Sequence, residues 1–366
     1  MREALAARLL AKVMDWAPED VAKERPILQD LASYKYDGYQ QFSAGMHFIE
    51  SLSIWLSNLN VVEERRAAYR FVRERLIYIS EAEMRHLVGL SYPDYIRDVL
   101  LQRVAKELDI PDYLVANLLA SDAFKKAERK SLFLGLSDGA RIDVFRRMAG
   151  LSNEQVYGTY QLSEEKSKDM VQELRKALSV FSIDSSEERF NTVFLLDDFA
   201  GSGDSLLRKE DGKAKGKIVK CLNTLRLENN STQLLDLPAL SVYVVLYMAT
   251  RQAFEALTQR IEEQWAANLP RCTIVPLYIV EDDVRVTRDR DPQFDRILES
   301  YYDNSLMDRH LEKGGEDVVH GYANCSLPLV LAHNTPNNSV YLLWADKHCL
   351  KTKALFPRVS RHREEL

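Results

Sequence analysis

Asp197 and Asp198 stand side by side after the apolar run Val193–Leu196, and the small turn Gly201-Ser202-Gly203-Asp204-Ser205 follows Phe199 and Ala200. The run fits a buried parallel strand, and the carboxyl ends of such strands are where open α/β sheets keep their ligand crevices. A glycine-rich turn at the start of a helix offers backbone N–H groups to a phosphate. Two carboxylates beside such a turn point to a phosphate-bearing ligand. A phosphate-loop ATPase fits less well, because no Gly-Lys-Ser/Thr follows the turn. Asp204 sits awkwardly, since a carboxylate within a phosphate turn weakens anion binding unless its side chain points away. The same residues also suit a plain strand end closing in an Asx turn.

Two further segments carry candidate chemistry. Ser131–Ser137 reads as a strand, followed by Asp138-Gly139-Ala140-Arg141 and an amphipathic helix bearing Arg146 and Arg147. Gly139 permits close backbone approach to a ligand, and Arg141 can meet phosphate oxygens bidentately. The plainer alternative makes Asp138 a helix N-cap and Arg141 part of a solvated face. The third segment, His333-Asn334-Thr335-Pro336-Asn337-Asn338-Ser339, lies between two strand candidates. It suits a hairpin connection, yet His333, Asn334 and Asn337 would also serve to read a base or polar acceptor.

The elements that must position these residues fall into two blocks. Residues 1–128 read as an all-helical N-terminal domain, with apolar residues at three- and four-residue steps such as Ala68, Phe71, Val72 and Leu76. Pro26, Pro93 and Pro111 are expected to start or break helices. Residues 129–366 alternate strands and helices, which implies βαβ units and a mostly parallel sheet flanked by helices, an α/β fold. The strand candidates are Ser131–Leu136, Thr192–Leu196, Leu240–Met248, Thr273–Val280, Leu327–Ala332 and Val340–Trp344. The helical candidates are Ile142–Met148, Glu164–Ala177, Lys217–Leu225 and Gln252–Trp265. Arg208–Gly216 and Asp282–Arg296 read as polar loops, and the lysine run at 213, 215, 217 and 220 reads as a solvated face or a lid.

Bulk composition narrows the classes. A net charge of -6 argues against a general electrostatic grip on nucleic acid and leaves a local basic cleft as the route to it. Cys221, Cys272, Cys325 and Cys349 lack C-x-x-C spacing, so reduced thiols are expected rather than a zinc site or disulfide framework. The arginine-rich tail from Arg358 to Arg363 reads as a frayed terminus or a partner contact. No secretory leader or membrane-spanning run is read from the chain, so a cytoplasmic location with no membrane partner is expected.

The segment Asp197–Ser205 resembles the ribose-phosphate loop of type I phosphoribosyltransferases: two acids, an apolar pair, a variable residue and a Ser-Gly-x-Ser turn. Together with Tyr34–Tyr39, Gly45–Leu56, Ser137–Arg141, Gly216-Lys217-Ile218, His333–Ser339 and Leu355–Arg358, the chain resembles the narrower PRTase-CE group of bacterial conflict systems. The resemblance implies that Asp197 and Asp198 engage the ribose hydroxyls of phosphoribosyl pyrophosphate (PRPP) and that the turn holds its 5′-phosphate. It also implies that Asp138–Arg141 take the pyrophosphate and that Mg²⁺ arrives on the substrate. Members resemble effectors or accessory proteins of antiphage modules, retrons among them, which implies a protein partner. An enzyme acting at ribose C1 is one reading, and a catalytically silent nucleotide sensor or structural subunit of a defence complex is the alternative.

Overall fold

The computed structural model describes residues 3–181, 186–265, 271–345 and 352–358. Its strands are β1 (Ile77–Ile79), β2 (Ser131–Gly135), β3 (Val156–Tyr157), β4 (Thr192–Ala200), β5 (Arg208–Glu210), β6 (Lys213–Lys215), β7 (Ser241–Thr250), β8 (Arg271–Val280) and β9 (Leu329–Leu331). A five-stranded sheet runs in the order β3-β2-β4-β7-β8, and every neighbouring pair is parallel. The near-continuous apolar runs of β2, β4 and β7 are what parallel strands covered on both faces require.

Strand alternation sorts the side chains between two faces. Leu132, Leu134, Val193, Leu195, Val242 and Val244 join the core beneath the helices Glu164–Leu178, Lys217–Thr232 and Arg251–Trp265. On the opposite face Phe133, Phe194 and Tyr243 form a stacked row with ring centroids 5.1 Å apart. Phe145, from the helix Ile142–Ala149, packs on Phe133. The strand order reverses between β2 and β4, so the loops leaving these two strands diverge and open a crevice at their carboxyl ends.

Packing divides the chain into Met1–Met84 with Glu281–Leu366, and Arg85–Val280. These units are not the compositional blocks 1–128 and 129–366. The helices Arg97–Leu108, Val115–Ala120 and Asp122–Arg129 belong with the large sheet, whereas everything after Val280 belongs with the N-terminal helices. The reason lies in a pairing the local pattern does not announce: Ile77–Ile79 is a short strand amid helices, and it pairs in parallel with β9. In that unit Phe71 stacks on Phe294 at 3.8 Å, and Phe48, Tyr36 and Tyr39 gather around Phe356.

Several local expectations are corrected. Leu327–Ala332 contributes a strand outside the five-stranded sheet, and Val340–Trp344 is the short helix Tyr341–Trp344 rather than a strand. Arg208–Gly216 is a hairpin, because Asp211 and Gly212 both take positive φ and turn β5 back onto β6. The helix Pro292–Tyr301 occupies the end of the supposed loop 282–296 and extends beyond it, with Pro292 fitting its first turn. Pro26 lies inside the helix Pro18–Tyr34 instead of breaking it. Cys349 and the tail beyond Arg358 lie outside the described residues. No helix among the described residues is long and apolar enough to cross a membrane.

Candidate functional site

β4 stays extended through Ala200, so the adjacent acids must point to opposite faces of the sheet. Asp197 turns towards the helix Lys217–Thr232 and is 1% exposed. Its Oδ1 accepts from the Ser137 hydroxyl, and its Oδ2 accepts from Lys217 Nζ at 2.6 Å. Burial pushes the Asp197 carboxyl above its usual range; Lys217 opposes that rise and Asp198 adds to it. Asp198 turns the other way, to the face of Tyr247, the residue after Leu246, which registers with Asp197. The Tyr247 hydroxyl is buried and donates to the Ala140 carbonyl at 2.6 Å. Burial raises its pKa, and the charges of Asp198 and Asp197 raise it further.

Gly139 explains how the loop leaving β2 reaches Asp198. A Cβ at Gly139 would collide with the Asp198 carboxylate, so only glycine brings the backbone this close. Asp138 is exposed, and its side chain caps nothing; its carbonyl accepts the Arg141 N–H instead. Arg141 holds a left-handed backbone (φ 47°) at the entry to the helix Ile142–Ala149, a strained conformation for a side chain without a local cap. Asp138, Arg141 and Arg146 line a cleft of about 400 Å³ with Ser137, Ile142 and Gly158. Among the described residues Arg146 forms no ion pair, so its charge is available to an anion.

The turn Gly201–Ser205 is held by contacts to its glycines, carbonyls and side chains. Gly203 has φ 78°, and a Cβ there would strike Leu257. Thr250 donates to the Gly201 carbonyl at 2.5 Å. The Asp204 carboxylate is held by Arg260 at 2.8 Å, and Arg260 also donates to the Leu207 carbonyl at 2.7 Å. Among the described residues the amides of Ser202, Gly203 and Ser205 have no hydrogen-bond partner. No helix opens directly from this turn, contrary to the sequence expectation. The hairpin of β5 and β6 intervenes, and the chain then returns: Lys217 and Ile218 donate their N–H groups to the carbonyls of Ser205 and Leu206. Gly216 (φ 129°) permits this approach, because a Cβ there would meet the Leu206 carbonyl.

A family model described as PRTase-CE matches residues 52–358. The chain belongs to the PRTase-CE family. No curated protein and no solved structure matches it. The parallel sheet and the match together make this a phosphoribosyltransferase-like protein.

Within this family frame, the other quoted residues divide by packing. Ala200 is buried in the sheet core, and Phe199 is half-buried in register with Met248. His333–Ser339 belongs to the unit of the N-terminal helices. There Thr335 is fully buried; its hydroxyl lies 2.9 Å from the Tyr39 hydroxyl and donates to the Phe356 carbonyl. Asn338 donates to the Tyr322 carbonyl at 3.2 Å, and Ser339 donates to the Leu329 carbonyl at 2.6 Å. His333, Asn334 and Asn337 are half-buried. Residue-by-residue reading missed Ser137, Arg260 and Tyr247 as site residues, and placed Lys217 in a surface run. The Asp211-Gly212 pair was the available signal that the chain would fold back and deliver Lys217 to the acids.

Proposed function

We propose that the cleft binds PRPP, or a related ribose-phosphate nucleotide, and acts at ribose C1. The observation that carries this reading is the meeting of two loops at the sheet's switch point, with Gly139 against Asp198 and, among the described residues, the unpaired amides of Ser202, Gly203 and Ser205 just beyond the same strand. Asp198 takes the sugar hydroxyls, and the amides of Ser202, Gly203 and Ser205 take the 5′-phosphate. Asp138–Arg141, with Arg146 beside them, take the pyrophosphate. Cleavage of the C1–oxygen bond builds positive charge on the ribose and negative charge on the leaving group. A carboxylate under the sugar and guanidinium groups on the leaving side oppose both changes. Arg260 removes the earlier objection to Asp204, because it neutralises that carboxylate.

Among the described residues no three His, Cys, Asp or Glu side chains gather to hold a metal. Mg²⁺ carried on the ligand's phosphates would neutralise the leaving group. Membership of the family supports an antiphage role with a protein partner, and loss of phage protection by Asp198→Asn in cells tests it. Calorimetry with PRPP and Mg²⁺, followed by a pyrophosphate-release assay, tests the chemistry. Binding with release supports a transferase, binding without release makes the protein a sensor, and no binding overturns the reading.

A further inference from the structure

Lys217 opens the helix Lys217–Thr232, and its two ends do different things. Its backbone N–H donates to the Ser205 carbonyl at 3.0 Å, while its ammonium lies 2.6 Å from Asp197 Oδ2. The other oxygen of Asp197 is taken by the hydroxyl of Ser137, the residue just before Asp138. Three segments distant in sequence therefore meet on one buried carboxylate. We infer that Lys217 and Asp197 are positioning residues that hold the turn Gly201–Ser205 and the loop Ser137–Arg141 in register, leaving Asp198 as the acid that meets the ligand. The inference rests on the ribose-phosphate reading of the cleft for its second half only.

The physical case is one of saturation. A carboxylate with 1% exposure cannot turn to a sugar without abandoning two charge-assisted hydrogen bonds. Removing one partner of such a pair leaves an uncompensated group inside the fold, which is costlier than removing both. Lys217 and Ser137 face Asp197, and Asp198 acts on it as a like charge from the other face of the sheet. Without Lys217 the carboxyl is driven towards its protonated form, and the anchor of Ser137 weakens. The loop carrying Asp138 and Arg141 then loses its reference point on β4.

Hydrogen exchange on the unliganded full chain reads this directly. The amides to watch are those of Ala140 and Arg141 in the loop, and Leu206 and Leu207 beside the turn, all of which are hydrogen-bonded. In Lys217→Met and Asp197→Asn they are expected to exchange at least about tenfold faster, with β7 unchanged, because one charge-assisted bond is lost. Lys217→Arg should restore wild-type exchange, and Ser137→Ala should loosen the loop alone. Unchanged loop exchange in both Lys217→Met and Asp197→Asn overturns the inference. In PRPP titrations the Asp197→Asn/Lys217→Met double variant should lose no more affinity than either single variant. A loss equal to the product of the two overturns it as well. If the wild type binds no PRPP, the ribose-phosphate reading falls while the exchange comparison still decides the positioning role.

Discussion

Three polar segments that look alike in sequence fall into two kinds in the fold. Among the described residues the turn Gly201–Ser205 leaves the amides of Ser202, Gly203 and Ser205 unpaired, and beside it Asp138 of the loop Ser137–Arg141 is exposed and Arg146 of the following helix forms no ion pair. In His333–Ser339 the side chains of Thr335, Asn338 and Ser339 instead close on their own surroundings. All three need small polar residues, because all three run between packed elements. The difference is where the hydrogen bonds go. Hydrogen bonds closed within the fold fix architecture, whereas donors left unpaired at a strand end remain to be offered to a ligand.

The sharpest way to break that contrast is Asp198→Asn set beside Thr335→Val. Asp198→Asn should cut PRPP affinity by about a hundredfold or more while the melting temperature stays near wild type, since a charged contact to ligand is lost. Thr335→Val should lower stability by about 1–3 kcal/mol through the orphaned Tyr39 network, with affinity unchanged. Equal affinity losses in the two would erase the distinction.

Gly139→Ala should come next, with about a tenfold loss of affinity as the new methyl displaces Asp198. A crystal structure of the variant would show whether the carboxylate has moved.

The ion pair supplies a pH test. Burial raises the Asp197 carboxyl, so the folded chain binds that proton more tightly than the unfolded chain. Its contribution to stability is therefore present at low pH and falls as pH rises above the ordinary carboxylate range. Lys217 counteracts this, and Lys217→Met should lift the carboxyl further. The melting-temperature deficit of Lys217→Met should widen from about pH 5 to about pH 8; a deficit independent of pH would remove Asp197 as its cause. Smallest of all, Arg260→Ala should release the Asp204 carboxylate and weaken phosphate binding by about two- to fivefold, with salt reducing the effect.

Much of the sheet was legible because β2, β4, β7 and β8 are long apolar runs, a composition that only buried strands and helices share. The strand end carrying the acids and the turn after it were legible because an apolar run gives way there to glycine and small polar residues. What was not legible follows from distance along the chain. β1 gains its strand character from β9, more than half the chain away, and Val340–Trp344 is apolar without a period long enough to separate a strand from a short helix. The split of Asp197 from Asp198 was implicit in strand alternation, but the partners that make it consequential, Ser137 and Lys217, come from other elements. Arg260 was invisible for the same reason.

A ribose phosphate is proposed to lie between Asp198 and the amides of the Gly201–Ser205 turn. A crystal structure of the full chain soaked with PRPP and Mg²⁺ tests it most directly. The predicted result is density for the sugar against Asp198, for the 5′-phosphate at Ser202 and Ser205, and for the pyrophosphate near Arg141. Density confined to the His333–Ser339 segment, with nothing against Asp198, would contradict it.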